Sequence, residues 1–132
     1  MQVLNFYSTV FADQMKRGRK TATIRLGDKR DKYRKNQMVC VTVGYQYSPR
    51  EKLFDAVIDN VEVKRIRELS PRDIEHDNPE FRRTEELLQF LGQIYGREVS
   101  AEDTCTVVRF SQIIENPPDL TDRLRGVGGA QN

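Results

Sequence analysis

A chain of 132 residues suits one domain with a modest core and leaves little room for a second. Charged residues make up 32% and hydrophobic residues 37%, with six phenylalanines, five tyrosines and no tryptophan, the balance of a globular chain rather than a disordered or membrane-embedded one. No apolar run approaches the roughly 20 residues that cross a bilayer. Met1-Gln2-Val3-Leu4-Asn5 lacks the basic start and apolar centre of a secretory leader, so a cytoplasmic location without membrane contact is expected.

Val3–Tyr7 predicts a short first strand. Ser8 or Thr9 can cap a helix running to Lys16 that turns Val10, Phe11 and Met15 inward, and Gly18 suits the left-handed position that ends it. Arg19–Arg25 then alternates as a strand, with Thr21, Thr23 and Arg25 on one face and Lys20, Ala22 and Ile24 on the other. Leu26 to Gln37 is polar and basic and predicts a surface loop. Met38–Val43 is a β-branched strand, and Tyr45 to Arg50, with Pro49, a turn. The longest strand runs from Lys52 to about Ile66, and its inward pattern changes phase near Asp59-Asn60, which calls for a bulge or corner.

Ser70-Pro71-Arg72-Asp73 combines a cap, a proline at the first helical position and an acid at the third, and opens a short helix. Asn78-Pro79-Glu80 repeats the device and starts a longer one ending at Tyr95-Gly96, with Phe81, Leu87, Leu88, Leu91, Ile94 and Tyr95 as its apolar stripe. Asp103–Ile113 is the last strand. After Glu115, Pro117-Pro118 and the glycines at 126, 128 and 129 predict a loosely held tail. No internal repeat is present. Strands that bracket helical insertions, without βαβ alternation, predict an α+β fold: a small, mostly antiparallel β-barrel with flanking helices, since closure removes exposed edges.

The chemistry-bearing residues are unevenly spread. Net charge is +2, yet residues 16–35 hold ten Lys/Arg against Asp28 and Asp31, a local +8 that leaves −6 elsewhere. Such a region is either a surface that meets phosphates or a solvated basic loop. Within it, Gly18-Arg19-Lys20-Thr21-Ala22-Thr23-Ile24-Arg25 sets three cations and two hydroxyls at a helix–strand junction. That set can hold a phosphate or carbonyl oxygen, and a lysine forced into such a cleft loses basicity and can act as a base; an exposed β-edge is the alternative. Asp73, Glu75 and Asp77 could supply an acid or base to the cleft, or serve as ordinary helix caps, as Asn78 would. His76 is expected at the surface. Tyr33, Tyr45 and Tyr47 either stack on bases or cover the barrel end. One histidine and two cysteines, Cys40 and Cys105, without a Cys-x-x-Cys pair, predict buried thiols and no metal site. No phosphate loop, dinucleotide fingerprint or calcium loop is present, so no cofactor is expected.

The segment from Gly18 to Arg25 resembles the G-x-K-x-x-T-x-R signature of ASCH domains, a branch of the PUA-like superfamily. The Phe11 helix, the Asn36-Gln37 turn into a strand and the terminal Val107-Val108-Arg109-Phe110 strand agree with it. The resemblance implies a PUA-like barrel over residues 1–114, a separate tail over 115–132, and a cleft for RNA or a modified nucleoside. Some bacterial members look like N4-acetylcytidine amidohydrolases, and others are reported as ribonucleases or binding modules. By that likeness Lys20 and Thr23 would be catalytic, with Asp77 or Glu75 as the acid. Arg19, Thr21, Arg25, Lys29, Arg30, Lys32, Tyr33 and Tyr45 would contact RNA or ligand. The expectation is an RNA- or modified-nucleoside-binding protein with hydrolytic activity. The alternatives are a non-catalytic RNA-binding module, a ribonuclease acting on single strands, or a partner-docking protein that uses the helix at 79–95.

Overall fold

The computed structural model describes residues 1–7, 10–44 and 49–114. The proposed caps Ser8 and Thr9, the side chain of Val10, both Tyr45 and Tyr47, and the tail from residue 115 lie outside the described residues. In chain order the elements are β1 (Gln2–Phe6), α1 (Val10–Lys16), β2 (Ala22–Leu26), β3 (Met38–Val43) and β4 (Glu51–Arg65). A 3-10 turn at Ile66–Glu68 follows, then α2 (Pro71–Asp77), α3 (Thr84–Tyr95) and β5 (Thr104–Gln112).

The five strands form one mixed sheet in the order β1-β3-β4-β5-β2. Three pairings are antiparallel and β1–β3 is parallel. The sheet curls into a half-barrel, an α+β fold. Its hydrogen-bonded ladder does not close: β1 and β2 are the two edges, and the seam between them is where the candidate site lies. The β4 phase change is real, because the β4–β5 register shifts between Ile58 and Asn60, and a second shift at Val41/Thr42 interrupts β3–β4.

Successive residues of β5 fall into two different cores, as side chains on alternate faces must. Val108 and Phe110 join Leu4, Phe6, Phe11 and Val41. Cys105 and Val107 join Ile24, Ile74, Leu87 and Leu91, under the helices α2 and α3. Phe90 touches both clusters, stacking edge-on against Phe11 and Phe81. Cys105 is fully buried and Cys40 half-buried; burial raises the Cys105 thiol to about 11.

Ser70 caps α2 as its sequence requires, its side chain accepting the Asp73 N–H while Asp73 accepts the Ser70 N–H. The start expected for the next helix is corrected. Asn78 is the C-cap of α2, not the N-cap of α3. Its side chain accepts the Glu80 N–H at 2.9 Å and its carbonyl the Phe81 N–H, which closes a turn in place of a helix. The helix starts at Thr84, where the Glu86 carboxylate accepts the Arg82 and Arg83 N–H groups. Phe81 therefore sits before the helix. Among the described residues no helix is long and apolar enough to cross a membrane.

Candidate functional site

The end of α1 sets up the site. Gly18 adopts a left-handed φ of 71°, its N–H bonds to the Met15 carbonyl, and the N–H groups of Arg19 and Lys20 both reach the Gln14 carbonyl. This is the paired termination that a left-handed glycine permits, and it reverses the chain just before β2. Lys20 therefore lies outside the strand, which begins only at Ala22. The alternation that put Lys20 opposite Thr23 does not apply to it. Both residues line one cavity.

Lys20 is 2% exposed. Its three ammonium protons meet three acceptors: the Ala22 carbonyl at 2.8 Å, the Asp77 carbonyl at 2.5 Å and Asp77 Oδ1 at 3.0 Å. The rings of Phe6 and Phe11 cover it at 5.1 and 4.8 Å, a favourable placement for a desolvated cation. Burial pushes its pKa below the ordinary lysine value, the Asp77 carboxylate opposes that, and the Arg25 charge adds to the lowering.

The same groups satisfy an edge that has no partner strand. On β2, the carbonyl of Ala22 is taken by Lys20, the N–H of Ile24 by Asp77 Oδ1 at 3.0 Å, and the N–H of Leu26 by the Tyr95 hydroxyl at 3.2 Å. On β1, the carbonyls of Val3 and Asn5 receive the Tyr33 hydroxyl and Arg25 Nη2. Side chains thus do in the seam what a neighbouring strand would do. The consequence is a polar wall in which Lys20, Asp77 and Tyr33 are buried, Arg25 is half-buried and Tyr95 stays exposed.

Between the edges lies a cavity of about 160 Å³ lined by β1, β2, α1, α3 and Asp77. Arg25 crosses it, giving Nε to Thr23 Oγ1 at 3.0 Å and Nη2 to the Asn5 carbonyl at 2.9 Å, with its guanidinium 5.0 Å from the Phe6 ring centroid. Among the described residues Arg25 Nη1, the Thr23 hydroxyl proton and Asp77 Oδ2 make no hydrogen bond, and all three residues line the cavity. Tyr7, Ile94 and Tyr95 also line it and are 49%, 37% and 39% exposed.

The remaining residues singled out from sequence are placed as follows. Glu75 is exposed and faces an open groove between α2 and the start of α3. Of the two acids only Asp77 enters the cavity. Asp73 is buried on the sheet, held by the Ser70 N–H, by Lys64 at 3.3 Å and by Arg109. Burial acts to raise its carboxyl, but the hydrogen bonds from Ser70 and the charge and hydrogen bond of Lys64 hold it below its usual value. His76 is half-buried, 2.9 Å from Arg109, and its carbonyl accepts the N–H of Thr21. Thr21, itself half-buried, does not line the cavity.

Arg19, Arg30 and Lys32 are exposed, with Arg30 paired to Asp28 at 2.6 Å. Lys29 is half-buried and anchors the loop by its backbone N–H to Thr106 Oγ1. Tyr33 is 2% exposed in the first core, with Lys32 over its ring, and so offers no face for stacking. Tyr45 lies outside the described residues. Among the described residues no group of three or more His, Cys, Asp or Glu is placed to hold a metal ion. Sequence reasoning missed Asn5, Tyr7, Phe11 and Phe90 as site residues. It assigned Ile94 and Tyr95 to a core stripe, although their positions near the end of an amphipathic helix left room for exposure.

No family model matches the chain, and no curated protein does. Its structure is similar to that of an ASCH domain from Lactobacillus crispatus JV V101, with a TM-score of 0.62 at 15% identity over 84% of this chain and 79% of that one. It is also similar to the hypothetical protein PH0355, with a TM-score of 0.64 at 17% identity over 86% and 100% of the two chains. Protein EF3133 from Enterococcus faecalis V583 has a TM-score of 0.63 at 16% identity over 85% and 79%. The chain has an ASCH-domain fold.

Proposed function

We propose that this protein binds RNA or a modified nucleoside in the seam cavity and hydrolyses an acylated exocyclic amine there, as an N4-acetylcytidine amidohydrolase would. One observation carries the reading: Lys20 and Asp77, 57 positions apart, meet in the cavity that Thr23 and Arg25 also line. Its volume, about 160 Å³, is below the roughly 300–1,000 Å³ of sites for drug-sized ligands and fits one base better than a dinucleotide.

The chemistry is an acyl transfer to water. Burial weakens Lys20 as an ammonium, so its proton can pass to Asp77 at 3.0 Å, leaving an amine able to take a proton from water or from the Thr23 hydroxyl. The oxygen so activated adds to the acyl carbonyl, and the Arg25 guanidinium, which lines the same cavity, would stabilise the developing oxyanion. The carbon–nitrogen bond then breaks, with the departing amine taking a proton from Asp77. On the water route acetate and the free base leave together; on the threonine route the free base leaves first, and the acetyl ester on Thr23 is then hydrolysed by a water that Lys20 activates, releasing acetate.

The test is to incubate the protein with N4-acetylcytidine and with short single-stranded RNA, with and without a divalent metal. Deacetylation by the wild type, lost in Thr23→Val with an unchanged circular dichroism spectrum, is the expected outcome. Deacetylation that persists in both Thr23→Val and Asp77→Asn rejects the catalytic assignment. A second reading, a non-catalytic RNA-binding module, is favoured by the full engagement of the Lys20 protons with protein acceptors. It requires RNA retention without turnover and an affinity that falls steeply with salt.

A further inference from the structure

Six large hydrophobic side chains are exposed among the described residues: Met1, Tyr7, Met38, Ile94, Tyr95 and Ile114. Three of them line the same small cavity: Tyr7, just past β1, and Ile94 and Tyr95 at the end of α3. Isolated exposed apolar groups need no explanation, but convergence on one polar cavity marks a ligand surface. Tyr95 is also fixed in place. It is the last residue of α3, ahead of Gly96 with a left-handed φ of 66°, and its hydroxyl accepts the Leu26 N–H at the unpaired edge of β2. Anchored at both ends, the residue still keeps 39% of its surface exposed.

We propose that the mouth of this cavity is a stacking platform for one unpaired nucleobase, with Tyr95 as its fixed ring and Tyr7 on the β1 side, so that the site takes single-stranded rather than duplex RNA. The inference rests on the RNA reading above and adds the form of RNA to it. A base inside a duplex has both faces covered by its neighbours, and its edge cannot reach Thr23, Arg25 and Asp77 in a cavity of about 160 Å³. A base in a loop or a free strand presents a bare face to a tyrosine while its edge enters the polar interior.

Fluorescence anisotropy with a short single-stranded oligoribonucleotide, the same strand carrying one abasic position, and its fully paired duplex tests this. The wild type is expected to bind the single strand more tightly than the duplex. Tyr95→Ala should weaken the single-strand complex by roughly 5- to 150-fold, the range for losing one stacked base, while Tyr95→Phe, which keeps the ring and gives up only its bond to the Leu26 N–H, should lose far less. The abasic strand should show the same loss against the unmodified protein, which needs no altered fold. Equal affinity of wild type and Tyr95→Ala for the single strand, or of single strand and duplex for the wild type, overturns the platform alone. Failure of the wild type to bind either RNA form overturns the RNA reading and the platform with it.

Discussion

The seam and the basic loop both belong to the cation-rich stretch from residue 16 to 35, yet they use charge in opposite ways. Of its ten lysines and arginines, Lys20 alone is buried, Arg25 and Lys29 are half-buried, and seven are exposed. Lys20 has three protein acceptors and two aromatic faces. Arg30, in the loop, has one carboxylate, that of Asp28, and open water. Hydrogen bonds from Arg30 hold the Asp28 carboxyl below its usual range, but water and salt screen an exposed pair of this kind to little net effect on stability. The difference teaches that burial, rather than density of charge, turns a lysine into a candidate reagent. The loop's exposed cations, open to water and salt, contribute little to the fold.

The largest effect is expected where a charge would be stranded. Asp77→Ala removes the carboxylate beside Lys20 and the acceptor of the Ile24 N–H. Breaking a buried pair in this way costs about 3–5 kcal/mol, to be read as a shift in the urea midpoint at an unchanged slope. A loss below roughly 1 kcal/mol, the scale of a surface pair, would mean that the seam is wetter than the 1% and 5% side-chain exposures of Lys20 and Asp77 state, and would erase the contrast with the loop.

Asp73 is the intermediate case, a buried carboxylate whose cationic partners Lys64 and Arg109 are partly exposed. Asp73→Asn is expected to cost about 1.5–3 kcal/mol at neutral pH, the range for hydrogen bonds to charged groups. The pH dependence follows from the direction of its shift. Its folded carboxyl lies below the unfolded value of 3.8, so the unfolded state takes up the proton first as pH falls. The stabilisation is complete well above 3.8 and drains away as pH falls through the folded value. Stability measured from pH 5.5 down to 2.5 should therefore fall more steeply in the wild type than in Asp73→Asn. Parallel curves would remove Asp73 from the acid-sensitive groups.

Much of this architecture is legible in local sequence because local forces make it. Met38–Val43 needs only its β-branched residues, α2 only Ser70, Pro71 and Asp73, and the end of α1 only Gly18. The strand–helix junction carrying the motif is visible for the same reason. What is not legible depends on partners far away in the chain. The acceptors of Lys20 lie two and 57 residues on, so nothing near position 20 says that its side chain turns inward with Thr23. Tyr33 looks like a loop aromatic until Val3 of β1 arrives beneath it. Asn78 carries the signals of a helix start, but its side chain closes a turn with Glu80 first. Barrel closure follows from the general cost of free edges, whereas this chain meets that cost with Lys20, Asp77, Tyr95, Arg25 and Tyr33.

The smallest effect on the fold belongs to the loop, and there the contrast is sharpest because stability and binding should separate. Replacing Lys32, Arg34 and Lys35 together by alanine removes three exposed cations. None of their side chains makes an ion pair among the described residues, although Lys32 covers the Tyr33 ring. The denaturation midpoint should stay close to that of the wild type, since surface substitutions away from special features rarely matter. Affinity for single-stranded RNA should instead fall by a similar factor for every sequence tried, because phosphate contacts carry no base information. The slope of log affinity against log salt should flatten by roughly 0.7 for each contact removed, about 2 for all three. An unchanged slope would leave the loop as a solvated surface and place the whole interaction in the seam. A large loss of stability would instead mean that the loop holds the sheet shut, and the division between a buried reagent and a surface that meets phosphates would have to be redrawn.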